Sequence, residues 1–296
     1  MPLYSMLKRH LAALLLVLSL PLYVQAMTIQ IPQTTEIGQP FLVLIESPAT
    51  LADVTVTFDG RLVDPAIRTE EGETRIPVLL GTGLKAETGH YPLEVTATVD
   101  GVRRRYQKTI NVIDHIYPEE TLSVAPRLVK PPKKYHEKIA QERDLIRQTL
   151  AIYSSQRYWD IPFSLPVKGK MLSRFGLRRT FNGDTKRRHT GLDFRAYMGY
   201  PLHAIAPGKV LLVGKNFYFA GNCVFIDHGN GVISLSAHMS KPLVKTGDMV
   251  KRGQRIGLSG ATGRVTGAHL HLSVFVQGVS IDPEPLFAKH AKTLLK

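Results

Sequence analysis

The stretch Gly267-Ala268-His269-Leu270-His271-Leu272-Ser273 decides how the chain is read. Small and apolar residues around two histidines predict a β-strand, in which alternate residues share a face. Leu270 and Leu272 then point to a core. His269 and His271 project together from the other face, about 7 Å apart along the strand. Two imidazoles so placed suit one metal ligand plus one catalytic group. An isolated His-x-His is a common motif, so the reading depends on what surrounds it.

Outward from this stretch, residues from Tyr158 onward are β-rich and punctuated by glycine. Candidate strands are Ala204–Val213, Cys223–His228, Val232–His238, Arg255–Ser259 and Ala268–Gln277, with turns at Gly229–Gly231, Gly247, Gly253, Gly260 and Gly263. The even spacing predicts an antiparallel sheet or barrel-sandwich over residues 158–290. Within it, His189-Thr190-Gly191-Leu192-Asp193 sets two first-row metal ligands around a glycine that would let the backbone bend and turn both inward. His238 closes another predicted strand. Neither feature alone distinguishes a site from an ordinary strand-end histidine.

Residues 27–113 carry short alternating runs rich in Val, Ile, Thr and Tyr: Thr28–Ile31, Pro40–Glu46, Val54–Phe58, Thr74–Leu80, Tyr91–Val99 and Arg104–Ile113. Asp59-Gly60 and Asp100-Gly101 are hairpin signals, and Pro77 marks an edge strand. Regular strands with such turns predict an Ig-like β-sandwich, and no catalytic constellation falls in it. Residues 114–157 read as a linker, broken by Pro118, Pro126, Pro131 and Pro132, and one amphipathic helix from Lys133 to about Ser155. The fold class is therefore mostly β.

Residues 1–26 differ. Lys8, Arg9 and His10 precede the apolar run Leu11–Leu20, and Val24-Gln25-Ala26 offers a small-residue cleavage site. This predicts a signal peptide cleaved near Ala26 and a periplasmic or secreted mature chain. The apolar run is shorter than the ~20 residues a span needs, and no later stretch predicts a stable membrane span. Removing the leader takes away Lys8 and Arg9 and no acidic residue, so the net charge of +14 falls to +12. A basic secreted chain favours polyanionic partners such as anionic cell wall. No aromatic-basic motif supports nucleic acid. Cys223 is the single cysteine, in the apolar run Cys223–Ile226, and reads as a buried thiol. Thiolate zinc sites are excluded.

Taken together, the pieces fall in an ordered set: Arg174-Phe175-Gly176-Leu177-Arg178-Arg179, Phe181-Asn182-Gly183, His189 to Asp193, Tyr218 to Asn222, Asp227-His228-Gly229, Ala237-His238-Met239-Ser240, Val244 to Gly257, and Thr262 to His271. Over about residues 160–286 this resembles the lysostaphin/LytM-type zinc metallopeptidases of bacterial cell walls. The β-rich N-terminal half is similar to the module of secreted Gram-negative members. The resemblance implies one zinc ion per chain held by His189, Asp193 and His271, with His238 and His269 as the catalytic pair. It also places Asn182 and Arg178 near the cleft, as substrate- or loop-positioning residues. Three positions depart from the family pattern: Ser236 stands for its usual Tyr, Met239 for its usual Leu and Ala268 for its usual Pro. None removes a ligand.

A catalytic zinc takes three protein ligands and keeps a position open, and a histidine titrates in the range needed to move a proton to a leaving amine. Within that pair this role is given to His269, with His238 orienting water or stabilising the oxyanion; the two roles could be exchanged. The implied activity is hydrolysis of peptidoglycan cross-bridge peptides, with the D-alanyl–diaminopimelate bond favoured in a Gram-negative periplasm. The alternative is a non-catalytic wall-binding relative that activates other hydrolases. A biotinyl-type carrier is suggested by Lys245–Gln254, but no Met-Lys-Met or Asp-Lys-Ala acceptor occurs. The order of the segments would also allow the N-terminal half to fold over the cleft.

Overall fold

The computed structural model describes residues 27–67, 69–70, 73–123, 130–183, 185–287 and 290–295. The predicted leader lies outside these residues. Strands β1 (Thr28–Gln30), β2 (Thr34–Glu36), β3 (Pro40–Ser47), β4 (Leu51–Phe58), β5 (Arg61–Val63), β6 (Thr69–Glu70), β7 (Glu73–Gly81), β8 (Gly89–Val99) and β9 (Val102–Ile113) form two sheets. One has the order β1-β3-β7-β6, the other β2-β9-β8-β4-β5.

Period-two alternation builds the core between them. Phe41, Val43 and Ile45 of β3 and Ile76, Val78 and Leu80 of β7 face Val56 and Phe58 of β4 and Leu93 and Val95 of β8. Each such side chain contributes roughly 1.5–3 kcal/mol when fully buried. Phe41 and Phe58 meet edge to face, centroids 5.1 Å apart. Asp59-Gly60 and Asp100-Gly101 are two-residue hairpin loops with positive φ at every position, the geometry that matches strand twist. On β7, β6 reaches only Glu73 and Thr74, so Pro77 lies on an open stretch of edge where its missing N–H costs nothing.

The segment read as a linker holds more structure than its prolines suggest. Strand β10 (Glu119–Leu122) pairs in parallel with β12 (Arg178–Phe181), which pairs with β13 (Thr185–Arg188) after β11 (Met171–Ser173). β10 and β12 are polar ladders with no apolar alternation to betray them. The helix α1 spans His136–Leu150, shorter than the predicted Lys133–Ser155, after one 3-10 turn at Lys133–Tyr135. It ends where Ala151 N–H takes up the last carbonyls. Tyr153 then leaves the helix, its hydroxyl exchanging hydrogen bonds with the Asp64 backbone.

The remaining strands are β14 (Leu192–Arg195), β15 (Pro201–His203), β16 (Gly208–Phe217), β17 (Gly221–Gly229), β18 (Val232–Pro242), β19 (Met249–Val250), β20 (Arg255–Ser259), β21 (His269–Val276) and β22 (Val279–Ile281). They form an antiparallel sheet, main order β11-β14-β21-β18-β17-β16-β19, which branches at β18 because β20 pairs with both β18 and β15. One face buries Leu192, Phe194, Leu270, Leu272 and Val274. The other carries Phe217, Phe225, Ile233, Leu235 and Ala237, with Ile146 and Leu150 of α1 packed on them. So α1 docks on the C-terminal sheet, as its stripe predicts, although Leu145 points outward.

The two halves interlock at Tyr117. Its hydroxyl donates to the Ile37 carbonyl at 2.7 Å. A Cβ on Gly176 would sit 2.0 Å from the ring, and one on Gly38 would sit 2.2 Å from the hydroxyl. Gln39 Nε2 adds a 3.1 Å bond to Asp282 Oδ2.

His228 is wholly buried in the C-terminal half, with Nδ1 2.7 Å from the Pro207 carbonyl and Nε2 2.8 Å from Ser234 Oγ. Burial pushes its pKa down to about 4. The unfolded chain therefore binds the extra proton first, and stability present above the unfolded pKa near 6.5 drains away as pH falls toward 4. With metal chelated, His228→Gln should flatten the pH dependence of the urea unfolding free energy by on the order of 3 kcal/mol between pH 7 and 4. An unchanged slope would contradict a neutral buried imidazole.

Candidate active site and metal centre

Strand register assembles the site. Asp193 of β14 lies opposite His271 of β21, and Ala237 of β18 faces His271 from the other side. Because Leu192, Phe194, Leu270 and Leu272 bury on one face, Asp193, His269 and His271 emerge on the opposite one. His189 follows β13, held by hydrogen bonds from its N–H to the Leu177 carbonyl and from Gly176 N–H to its own carbonyl. Gly191 serves a different purpose from the expected bend. A Cβ there would lie 2.4 Å from the Leu272 carbonyl oxygen and 2.8 Å from the His271 ring. Its bareness lets β14 start close against β21.

His238 reaches the cluster by a backbone irregularity. The pairing of β17 with β18 shifts register between Val224/Ser236 and Asn222/Met239, and His238 sits in that bulge at φ 64°. A left-handed non-glycine residue costs about 1–3 kcal/mol and persists only where its surroundings hold it. Here its N–H donates to the Ala220 carbonyl at 2.9 Å. Bulges re-aim side chains beside functional sites. This one brings the His238 ring to 4.8 Å from that of His269 and 5.9 Å from that of His271, centroid to centroid.

Three donor atoms converge. His189 Nε2 lies 3.1 Å from Asp193 Oδ1 and 3.1 Å from His271 Nδ1, and His271 Nδ1 is 2.9 Å from Asp193 Oδ1. These residues could hold one metal ion. Two imidazoles and a carboxylate are an N/O donor set suited to a first-row divalent cation. His269 Nε2 stands 3.8 Å from Asp193 Oδ1.

Each imidazole is fixed from behind. His189 Nδ1 is 2.8 Å from the Arg174 carbonyl, His238 Nδ1 3.0 Å from that of Thr262, and His269 Nδ1 2.9 Å from that of Gly267. A carbonyl can only accept, so in all three Nδ1 carries the proton and Nε2 offers its lone pair. His271 is reversed, its Nε2 2.9 Å from Ser273 Oγ and its Nδ1 turned to Asp193.

Burial would raise the Asp193 pKa, but hydrogen bonds and charge from His189 and His271 outweigh it and hold the carboxyl well below the usual range. Burial, then the neighbouring His271 and His269, pushes His238 down to about 3. Burial also lowers His271, against the pull of Asp193.

The cluster opens into a cleft of about 580 Å³. Ser273, Phe275, Leu235 and Ala237 extend the sheet face as its floor, Ile146 of α1 lines one side, and Arg179, Phe181 and Arg264 lie along its rim. The two positioning candidates fall elsewhere. Asn182 is exposed in the hairpin turn after β12 at φ 51°, and Arg178 pairs with Glu119 at 3.0 Å. Its neighbour Arg179 reaches the cleft instead. His203 approaches the Pro166 carbonyl at 3.4 Å. Cys223 is fully buried, and burial raises its thiol to about 12.

An antiparallel sheet that gathers these side chains on one open face has the layout of a metallopeptidase. Residues 187–283 match the model of peptidase family M23. The chain is 47% identical over 122 residues to the peptidoglycan DD-endopeptidase ShyA of Vibrio cholerae, covering 40% of this chain and 28% of that protein. It is 40% identical over 117 residues to the DD-carboxypeptidase/endopeptidase Mpg of Neisseria meningitidis, covering 40% and 27%. The chain thus spans little more than a quarter of the length of these curated relatives. A crystal structure described as an M23 peptidase from Pseudomonas aeruginosa superposes with a TM-score of 0.60 at 28% identity, covering 81% of this chain and 92% of that one. This likeness extends well beyond residues 187–283.

If the triplet holds the ion, the purified chain should carry about one metal per molecule after dialysis, by mass spectrometry of the elements. His189→Ala and His271→Ala should fall to background, while His269→Ala should retain it. Equal loss in all three would show that His269 is also a ligand.

Proposed function

We propose that this protein is a zinc-dependent endopeptidase that hydrolyses peptide cross-links of bacterial peptidoglycan, with the D-alanyl–diaminopimelate bond as its target. One observation carries the reading: three metal-ligating atoms lie within 3.1 Å of one another, and two more imidazoles face the same cleft. The names of the M23 relatives supply the substrate class.

His189, Asp193 and His271 would hold the zinc, which when bound polarises a carbonyl and acidifies a water. His269 keeps Nε2 unprotonated toward the cleft and is the general base, passing the proton to the leaving amine. His238 is held neutral by burial, so its Nε2 accepts a hydrogen bond and orients the water. Asp193, ionised throughout the working range, supplies the negative charge that offsets the metal. The apolar floor from Ala237 to Phe275 seats the peptide and limits water.

We assign residues 27–113 and 114–157 to a β-sandwich and a connecting segment, and 158–290 to the catalytic unit. The placement is periplasmic or secreted, after removal of residues 1–26. The basic balance of the chain would hold it on anionic wall, an attraction that salt weakens. Among the described residues no helix is long and apolar enough to cross a membrane.

The test is digestion of purified sacculi by residues 27–296, read as released muropeptides by mass spectrometry. Cross-linked dimers should fall and monomers rise with wild type, and His269→Ala should lose at least a hundredfold in rate, within the 10²–10⁴ typical of a lost general base, while keeping its metal. No dimer cleavage by a metal-loaded wild type would favour a wall-binding protein without turnover.

A further inference from the structure

The hairpin of β12 and β13 sets four arginines in two opposed pairs, Arg178 against Arg188 and Arg179 against Arg187. Like charges directly opposite on antiparallel strands repel. Strand alternation sends the two pairs to opposite faces. On the outer face, Glu119 pairs with Arg178 at 3.0 Å, and Arg188 lies 5.8 Å over the Tyr117 ring. The inner face looks onto the cleft. There Arg179 lines the cleft, pairs with Glu120 at 2.5 Å and donates to Ser173 Oγ at 2.9 Å; Arg187 is its strand partner in register.

A third guanidinium completes the arrangement. Arg264 belongs to the loop whose Thr262 carbonyl fixes His238. Its N–H donates to the Phe219 carbonyl at 3.2 Å, and its guanidinium rests 4.7 Å over the Phe219 ring. It is half-buried in the same cleft as His238 and His269. Burial, then the charge of Arg187, lowers its pKa. A partly desolvated cation lining a cleft gains from an anion bound beside it, and a planar guanidinium matches a carboxylate fork to fork.

We propose that Arg264, which lines the cleft with Arg179, forms a carboxylate-binding subsite that recognises a free carboxylate on the peptide being cut. This rests on the hydrolase reading above and deepens it. Arg264 acts as a specificity residue, and the reacting bond is positioned by the anion it holds. Backbone pairing of its loop with Phe219 means that the same segment sets the His238 tautomer and the anion position.

The experiment uses two soluble cross-linked muropeptide dimers, identical except that the free diaminopimelate carboxylate is amidated in one. Wild type should cleave the carboxylate form with about tenfold higher kcat/KM, a factor that raised salt reduces. Arg264→Gln should remove that preference mainly through KM, lowering kcat/KM more on the carboxylate dimer than on the amidated one, and keep its metal. Arg264→Lys should restore part of it. If Arg264→Gln loses metal, Arg264→Lys, which keeps the charge and loses the planar fork, is read in its place and should lower the preference in the same direction. Equal cleavage of both dimers by wild type, or an equal loss on both in Arg264→Gln, overturns the subsite. Binding of the dimers to His269→Ala by calorimetry separates this from the reaction itself. Should wild type cleave neither dimer, the hydrolase reading fails. The subsite then stands only if the carboxylate dimer still binds more tightly and loses that advantage on Arg264→Gln.

Discussion

A carboxylate buried in a sheet must be matched, and the site is built around matching Asp193. Burial alone disfavours its charge. The sheet answers by placing His271 directly across from it and bringing His189 in from the end of β13. The three atoms lie within 3.1 Å of one another, close enough for one divalent cation to be held by all of them. The arrangement that makes Asp193 tolerable inside the protein is thus the arrangement that a metal would fill.

The same logic explains the backs of the imidazoles. A ring that is free to flip offers either nitrogen, and a site of four such rings would be averaged over many tautomers. Three carbonyls and one hydroxyl remove that freedom. For His238 the cost is higher, because its backbone must be left-handed to aim the ring. The loop from Ala261 to Gly267 and the Tyr218–Ala220 turn hold it there. The Ala220 carbonyl takes its N–H, and a Cβ on Gly221 would strike Thr262 at 2.3 Å. Two glycine-bearing turns therefore pack without side chains between them so that one histidine can be strained into position.

Much of this was legible in the residues. His-x-His with flanking leucines specifies which face the histidines take, and the sandwich strands follow from alternation and Asp-Gly turns. Ser273 was legible too, since it lies two residues beyond His271 on the same face. Other features left no trace. β10, β12 and β13 are stabilised by Glu–Arg ladders, which in sequence look like solvated linker. The carbonyls of Arg174, Thr262 and Gly267 belong to residue types that carry no signal for their task. The left-handed bulge at His238 was invisible because no glycine or Asx-Gly pair marks it in the sequence. Arg178 and Arg179 are adjacent and chemically alike, and only the strand register decides that Arg179 faces the cleft.

These hidden parts share a location. Two of the cleft's walls, the β10-stabilised hairpin and α1, depend on Glu119–Leu122 and His136–Leu150, which precede the C-terminal sheet in the chain. Glu120 neutralises Arg179 on one wall, and Glu142 accepts the Tyr218 N–H at 2.8 Å on the other. Tyr117, wedged between Gly38 and Gly176, fixes where that segment begins. Gly176 lies two residues from Arg174, whose carbonyl orients His189. The described residues of this segment act as part of the cleft's frame. Packing of the N-terminal half therefore reaches the His189–Asp193–His271 cluster by way of the Tyr117 side chain, Gly176 and the Arg174 carbonyl.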